Sequence, residues 1–294
     1  MASNSIVLKD TTYNGVSSIE VPVSGGGSAL FTDVSDTTAA AADVAQGKYF
    51  YTAAGAKTHG TAAGGGGDGS LKSLIDRTVS SFDFPSGLIA IGASAFQFCT
   101  NLEISSVPSG VTSIGDNAFQ RCTHITSLAL PSSLRTIGLN AFQYCSGLTS
   151  VTCAGNVTSF GTGAFYNCTN LASASFPSMS IGTFSTVFGS STSSSACQKL
   201  AFADIGASGK IASNAFANCY KLQTLVLRKT SAVCTLANVS AFTNTPMRGY
   251  GSLTGTVYVP SALISSYQAE TNWSTLYSGG TLTFAAIEGS PYEL

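Results

Sequence analysis

The sequence predicts a β-rich α/β solenoid with a 23-residue period, built from short strands plus single helical turns and preceded by a small N-terminal β-rich module. Two observations predict the solenoid. An Ala-Phe-x-x-Cys motif recurs every 23 residues, ending at Cys99, Cys122, Cys145 and Cys168, and a short alternating apolar segment follows each copy. Because one such unit cannot bury its apolar face by itself, the units are expected to stack into one continuous core.

Each part of the unit has a physical role. The strand buries alternate residues, as at Leu128 and Leu130. Pro131 ends that strand because proline has no N–H group to donate. The Ile137-Gly138 step then turns the chain, since glycine tolerates a positive φ. We predict that the Ala-Phe-x-x-Cys segment is one helical turn that places its Phe and Cys in the core.

Stacking places equivalent residues of successive coils about 4.8 Å apart. Side-chain amides at one such position can then bond along the stack. The predicted amide ladder consists of Gln97, Gln120 and Gln143. The eight cysteines are predicted to be free, buried thiols, because they follow the repeat and form no C-x-x-C pair. With only two histidines, the chain predicts no metal site and no cofactor.

Charged residues make up 9% of the 294 residues, and apolar residues make up 44%. Lys plus Arg number 13 and Asp plus Glu number 14, a net charge of −1. This balance argues against nucleic acid and anionic membranes as partners. No apolar run approaches the roughly 20 residues that span a bilayer, so we expect no membrane insertion. The first residues lack the basic and apolar regions of a signal peptide, which predicts folding in a cytoplasm.

The repeat resembles the leucine-rich repeats of the BspA type, whose pattern Ile-Gly-x-x-Ala-Phe-x-x-Cys runs here from Ile114 to Cys122. The resemblance covers about Leu71 to Phe284. It implies a curved leucine-rich-repeat solenoid used for binding, often on bacterial surfaces or in phage and parasite proteins, and it implies no chemistry.

The ends of the solenoid need caps. Upstream, a short helix with Ser70 as its N-cap is predicted to cover the first coil. Downstream, we predict a strand over 255–259, a helix over 261–269, and a strand near 281–284, with Trp273 capping the core. The predicted domains are an N-terminal attachment or oligomerisation module (1–63), a Gly-rich linker (64–69), the solenoid with its N-terminal cap (70–254) and a C-terminal capping module (255–294).

The first 63 residues differ in kind from the repeats. They predict strands over 5–9 and 18–23, an Ala-rich helix over 37–46 and a β-hairpin turning near Ala54-Gly55. Their Asp-Thr-Thr-Ala and Gly-Lys-x-x-Tyr motifs resemble a short N-terminal attachment segment of tailed-bacteriophage structural proteins. About 63 residues with so few large apolar groups would be marginally stable alone, so we expect the module to pair with copies of itself, as a homo-oligomer, or with a host assembly. The resemblance implies attachment to other virion proteins of the tail or capsid. The anchoring residues are Lys48, Tyr49, Phe50 and Tyr51.

The sequence contains no pattern of catalytic residues. His59 and His124 lie in different modules, and no Ser or Cys has a patterned His and Asp partner. The acids of the solenoid do not share one ladder position, as paired carboxylates for glycoside cleavage would require. The chain is therefore predicted not to be an enzyme.

Two surfaces are candidates for binding. On the strands, the residues between the buried leucines should face outward on a flat, hydroxyl-rich surface. This predicted binding face comprises Ile104, Ser106, Ser127, Ala129, Ser150, Thr152, Ser173, Ser175, Thr224 and Val226. A second stripe consists of the variable residues before each cysteine: Phe98, Arg121, Tyr144, Asn167 and Asn218. Either surface could equally be a soluble face without a ligand, and the Ser-rich insertion after Gly189 is either a contact loop or a tolerated surface loop.

The combined expectation is a non-enzymatic phage virion protein, assembled in the bacterial host cytoplasm. Its N-terminal module would attach to tail or capsid, and its solenoid would bind a host-surface protein or glycan. One alternative is a capsid decoration or head-fibre protein that covers the shell. Another is a cell-surface leucine-rich-repeat adhesin.

Overall fold

The computed structural model describes residues 77–84, 87–190 and 196–294, together with the backbone of six strands within residues 5–58. The described residues form a solenoid in which each coil pairs in parallel with the next. Its coils have two strand-bearing sides and one side made of turns. The leucine-rich-repeat fold class predicted from the sequence is confirmed.

The first side is a seven-stranded parallel sheet. Its strands are β9 (Ser127–Leu130), β11 (Ser150–Cys153), β13 (Ser173–Ser175), β15 (Phe202–Asp204), β17 (Thr224–Val226), β19 (Gly255–Val259) and β20 (Leu282–Ala286). The register moves by one coil per strand, so that Ser127 pairs with Ser150, and Ser150 with Ser173. Leu128, which follows Ser127, and Val151, which follows Ser150, are buried, because alternate residues of a strand point to opposite faces.

The second side carries shorter parallel strands. They are β7 (Leu88–Ile91), β8 (Ser113–Ile114), β10 (Thr136–Ile137) and β12 (Ser159–Phe160), and in a separate sheet β14 (Thr183–Phe184), β16 (Lys210–Ile211) and β18 (Thr235–Leu236). Glycine is required after Ile114 for a reason other than the positive φ that we expected. A Cβ at Gly115 would lie 2.6 Å from the backbone nitrogen of Ala93, so the close approach of neighbouring coils excludes a side chain there.

The third side corrects one detail of the predicted unit. The Ala-Phe-x-x-Cys segment is a series of turns, because two residues in each coil have left-handed backbone, as at Asn117 (φ 55°) and Arg121 (φ 64°). The backbone N–H groups therefore alternate between partners. Gln97 donates within its own coil to the Ser94 carbonyl (3.1 Å), and Phe96 donates to the Ala118 carbonyl of the next coil (2.7 Å). These inter-coil bonds continue the stacking across the side that lacks strands.

A column of aromatic rings forms the centre of the core. Phe96, Phe119, Phe142 and Phe165 stack with ring centroids 5.1, 5.2 and 5.0 Å apart. The cysteines are free and buried, as predicted. The thiol of Cys122 donates to the carbonyl of Phe96 in the preceding coil at 3.1 Å, and the pattern repeats in the following coils.

The C-terminal segment contains the two predicted strands and the predicted first helix, and also a second helix that was not predicted. Strand β19 is followed by a short 3₁₀ turn, helix α1 (Ile264–Ala269), helix α2 (Thr271–Ser278) and strand β20. The column continues from Phe165 through Phe188 and Phe216 to Phe242, its last ring. Trp273 is fully buried against Phe242, at 5.6 Å between centroids. Its indole N–H donates to the Cys234 carbonyl at 2.6 Å. The only tryptophan thus closes the aromatic column.

At the other end, six strands of the N-terminal region pair as three antiparallel hairpins. They are β1 (Ser5–Leu8) with β2 (Thr11–Asn14), β3 (Ile19–Pro22) with β4 (Ser28–Phe31), and β5 (Phe50–Thr52) with β6 (Lys57–Thr58). The β5–β6 pair is the hairpin predicted around Ala54-Gly55. Strand β5 also pairs with β7, which covers the N-terminal edge of the second side. The predicted helices over 37–46 and from Ser70, and the linker over 64–69, lie outside the described residues.

The predicted amide ladder is present. Gln97 donates from Nε2 to Oε1 of Gln120 at 2.6 Å, and Gln120 donates to Gln143 at 2.5 Å. All three side chains are partly buried. The ladder joins three coils through side chains in addition to the backbone bonds.

Replacing Gln120 by Ala should lower the free energy of unfolding by about 1–2 kcal/mol, because it removes two partly buried hydrogen bonds. Gln97→Ala removes one of them and should cost about half as much. Urea denaturation of both variants checks this. Equal losses in the two variants would contradict the ladder as a set of separate bonds.

Candidate ligand-binding surfaces

The strand face is exposed over its first coils. Ser127 and Ala129 of β9 and Thr152 of β11 are exposed, and Ser150 beside them is half-buried. Ser173, Ser175 and Thr224 are also half-buried. The parallel register aligns these residues in two rows that run across the strands, with successive members about 4.8 Å apart. The geometry is a flat array of small polar side chains.

The hydroxyl groups of this face differ from other hydroxyls on the solenoid. At the edges of the sheet, threonine side chains bond to the carbonyl of the preceding coil, as Thr149 does to Thr126 (2.7 Å) and Thr123 to Thr100 (3.1 Å). Within the described part of the chain, the five hydroxyls of the face that lie on β9, β11 and β13 make no such bond: Ser127, Ser150, Thr152, Ser173 and Ser175. They are therefore free to donate to and accept from a ligand.

The strand face ends at a groove beside the first coil. Ser106 is exposed and forms only an isolated bridge with Ala129, and Ile104 is half-buried and packs partly against the core. Beside them lies a cavity of about 520 Å³. Its lining consists of Glu103, Ile104, Ser105, Thr123, His124 and Thr126. The sequence did not reveal this groove, because it arises where the first coil departs from the regular ladder.

The predicted exposure of one face residue is wrong. Val226 is fully buried, although the period places it outward. The reason is the C-terminal tail: the Tyr292 ring packs on Phe202 of β15 (5.3 Å) and Tyr258 of β19 (4.7 Å), on either side of β17. Asp204, the register partner of Val226, is buried as well and accepts two bonds from Arg228 at 2.9 and 2.7 Å. The open face is thus restricted to the earlier coils.

The second stripe forms a continuous row in its first half. The guanidinium of Arg121 lies 5.5 Å from the ring centre of Phe98 and 4.8 Å from that of Tyr144. Arg77 continues the row. Its guanidinium lies 4.8 Å from the centre of the Phe98 ring. The repeat pattern missed Arg77 because it precedes Phe98 by 21 residues instead of 23.

The second half of the stripe is closed. Asn167 is half-buried, and Asn218 is buried, which corrects the expectation that it is exposed. Asn218 donates to the Ser190 carbonyl and accepts from the Asn244 side chain, both at 2.7 Å. Ser190, at the start of the insertion, therefore lies against this position. Residues 191–195 of the insertion, and with them the predicted contact loop, lie outside the described residues.

The anchoring residues predicted in the N-terminal module are described only in part. Lys48 and Tyr49 lie outside the described residues. The backbone of Phe50 and Tyr51 belongs to β5 and pairs with Ile91 and Ala90 of the first solenoid strand. Their role in anchoring stays a prediction.

The buried thiols have low reactivity, because burial raises their pKa values. Desolvation by burial raises the pKa of Cys145 to about 12 and that of Cys234 to about 12. Burial likewise raises the pKa of Cys122, Cys168 and Cys219 well above the ordinary value. Because the thiolate is the reactive form, such cysteines are poor nucleophiles. No cluster of three or more His, Cys, Asp or Glu that could hold a metal ion occurs among the described residues.

Comparison with protein families matches the BspA type leucine rich repeat region, in six copies, over residues 75–195 and 192–250. This chain belongs to that family. The BspA-type match indicates a repeat architecture and no catalytic family. It begins after the N-terminal module and ends before the C-terminal cap. In the part of the chain that the structure covers, no helix has the length and apolar character needed to cross a membrane.

Several solved structures are similar to this BspA-type chain. A leucine-rich repeat protein of T. pallidum is 31% identical, with 47% of this chain and 62% of that chain covered and a TM-score of 0.41. A leucine rich cell surface protein of Faecalibacterium prausnitzii A2-165 is 20% identical, with 69% and 65% covered and a TM-score of 0.29. A leucine-rich repeat protein of Bacteroides ovatus is 19% identical, with 69% and 82% covered and a TM-score of 0.23. The chain thus spans less than two thirds of the first two proteins. No curated protein matches it.

Proposed function

We propose that this protein is a non-enzymatic binding protein of a tailed-phage virion, in which the N-terminal module attaches to the particle and the solenoid binds a host-surface protein or glycan. The observation that carries the binding role is the array of five unbonded hydroxyls on the exposed strand face. The virion location is supported by the resemblance of residues 1–63 to phage attachment segments.

The array favours a ligand that is rich in hydroxyl and amide groups. A flat surface of small side chains allows close approach, and each free hydroxyl both donates and accepts. Neutral polar recognition also agrees with the low charge of the chain, which offers little long-range attraction to a highly charged partner. A host-surface glycan or the polar surface of a protein has this character.

Replacing Ser150 and Ser173 together by Gln should reduce binding of the purified chain to host cells at least tenfold, because the larger side chains obstruct the flat face. Flow cytometry with fluorescently labelled protein measures the change. The matched control replaces exposed Ser178 and Ser180 by Gln, outside the face. If both double variants bind like the unaltered chain, the strand face is not the binding surface.

Gold-labelled antibody against the solenoid tests the location. Label on the tail of purified particles agrees with the proposal. Label spread over the capsid would favour the decoration alternative. Label on the envelope of producing bacteria, with none on particles, would replace the virion proposal by that of a surface adhesin.

A further inference from the structure

The side of the solenoid made of turns carries an Arg–aromatic ridge, defined here as Arg77, Phe98, Arg121 and Tyr144. Cations and rings alternate along it, one residue per coil, with 4.8, 5.5 and 4.8 Å between each guanidinium and the neighbouring ring centre. Arg121 is exposed, and the other three are half-buried. The ridge lies on a different side of the coil from the strand face.

The backbone of the ridge is unusual for such residues. All four have left-handed φ values, between 61° and 64°. This region disfavours bulky side chains and suits Gly or Asn. The same position in later coils is indeed Asn, at Asn167, Asn218 and Asn244. The first coils therefore hold large side chains where the backbone prefers a small amide, a cost typical of positions that serve a function.

The outward surface of the ridge attracts negative charge. The guanidinium carbons of Arg77 and Arg121 lie over the rings. The Nε of Arg77 is buried without a partner, so its terminal N–H groups, the N–H groups of Arg121 and the ring edges are left for a ligand. Ring edges carry partial positive charge, and a guanidinium edge binds carboxylate or phosphate in a bidentate way. Within the described part of the chain, Arg121 has no carboxylate partner, unlike Arg228, which pairs with Asp204. Its charge is thus available.

We infer that the Arg–aromatic ridge is a second binding site, for an anionic polysaccharide. Arg77 and Arg121 bind acidic groups of the polymer, and the edges of Phe98 and Tyr144 contact the chain between them. A polymer is favoured over a single small anion because the two guanidinium groups stand two coils apart, about 10 Å by the spacing of stacked strands. The inference does not depend on ligand binding at the strand face.

Nucleic acid is a weaker fit to the same ridge. Binding a single strand needs ring faces on which bases stack and a groove of many cations. Here arginines lie over the Phe98 and Tyr144 rings, and the net charge of the chain is −1.

The test is calorimetric titration of the full chain with three polysaccharides: hyaluronan, which carries carboxylates; phosphomannan, which carries phosphates; and neutral dextran. We expect binding of one or both anionic polymers, weakened by added salt, and no binding of dextran. Which anionic polymer binds identifies the acidic group. Arg121→Asn should weaken that binding about tenfold or more, the loss typical of a charged hydrogen bond.

Asn is the replacement of choice because later coils carry it at this position. The Arg121→Asn variant should therefore have the same thermal unfolding midpoint as the unaltered chain. Should it unfold, Arg121→Gln takes its place. The control is Arg135→Asn, which removes an equally exposed arginine outside the ridge and should bind normally. The Ser150→Gln and Ser173→Gln double variant should also bind normally, which separates this site from the strand face.

Failure of the unaltered chain to bind either anionic polymer would overturn the inference. So would undiminished binding by Arg121→Asn, an equal loss in Arg135→Asn, or equal affinity for dextran. Tighter binding of single-stranded DNA than of either polysaccharide would reassign the ridge to nucleic acid.

Discussion

Replacing Phe119 by Ala should lower the free energy of unfolding by about 3–5 kcal/mol, the cost of deleting a buried aromatic ring. Phe119 is fully buried and stacks on Phe96 at 5.1 Å and on Phe142 at 5.2 Å. The cavity cannot collapse easily, because backbone bonds to both neighbouring coils hold the coils at fixed separation. Urea denaturation followed by circular dichroism measures the loss.

The control for this variant is Leu139→Ala. Leu139 is a large apolar residue of the same region but is 45% exposed, so its replacement should change the free energy of unfolding by about 0.5 kcal/mol or less. A loss for Phe119→Ala no larger than that for Leu139→Ala would show that the column does not carry the stability of the solenoid. Because coils contact only their neighbours, we also expect the variant to unfold over a broader range of urea.

The second large effect is a loss of stability in alkali. Burial raises the pKa of the Cys145 thiol from 9.0 to about 12, because the folded core disfavours the thiolate. A group whose pKa is higher in the folded state stabilises the fold fully below its unfolded pKa. That stabilisation is lost as the pH rises from about 9 towards 12. Each such thiol contributes a slope of about 1.4 kcal/mol per pH unit in this window.

Cys234, with a pKa of about 12, acts in the same direction. Cys122, Cys168 and Cys219, whose pKa values are also raised, add to it. The free energy of unfolding should therefore be nearly constant from pH 7 to 8.5 and fall steeply above about pH 9. Urea denaturation at half-unit pH intervals, under reducing conditions, measures this curve.

Cys145→Ala separates the contribution of this thiol from the contributions of all other groups in the chain. The variant starts from a lower free energy of unfolding, since the substitution leaves a cavity. Above pH 9, its free energy of unfolding should fall less steeply with pH, by the slope that one thiol contributes. An unchanged slope in Cys145→Ala would mean that this thiol is not responsible for the alkaline loss.

The sequence could predict whatever repeats. A stack of coils gives the same surroundings to every residue 23 positions apart, so periodicity alone locates the buried Phe and Cys, the strands ended by proline, and the bonded glutamines Gln97, Gln120 and Gln143. The role of Trp273 was also predictable, because an apolar column must end against something large.

The detail of the turns was beyond the pattern. A segment such as Ala118 to Cys122 has the composition of a helical turn, but the N–H groups find partners in the next coil once Asn117 and Arg121 adopt left-handed backbone. This preference exists only when a neighbouring coil is in place. The contacts between Arg and aromatic side chains along the ridge follow from it, since the left-handed position sets where these side chains leave the coil.

The sequence by itself therefore determined the architecture of this protein, its period and the residues of its core, because these depend on contacts that every coil makes in the same way. The tertiary structure decided which candidate surface residues are accessible. Tyr292 lies far along the chain from Val226, and Ser190 accepts a hydrogen bond from Asn218. Such contacts occur once and leave no periodic trace. They confine the open hydroxyl face and the Arg–aromatic ridge to the first coils of the solenoid.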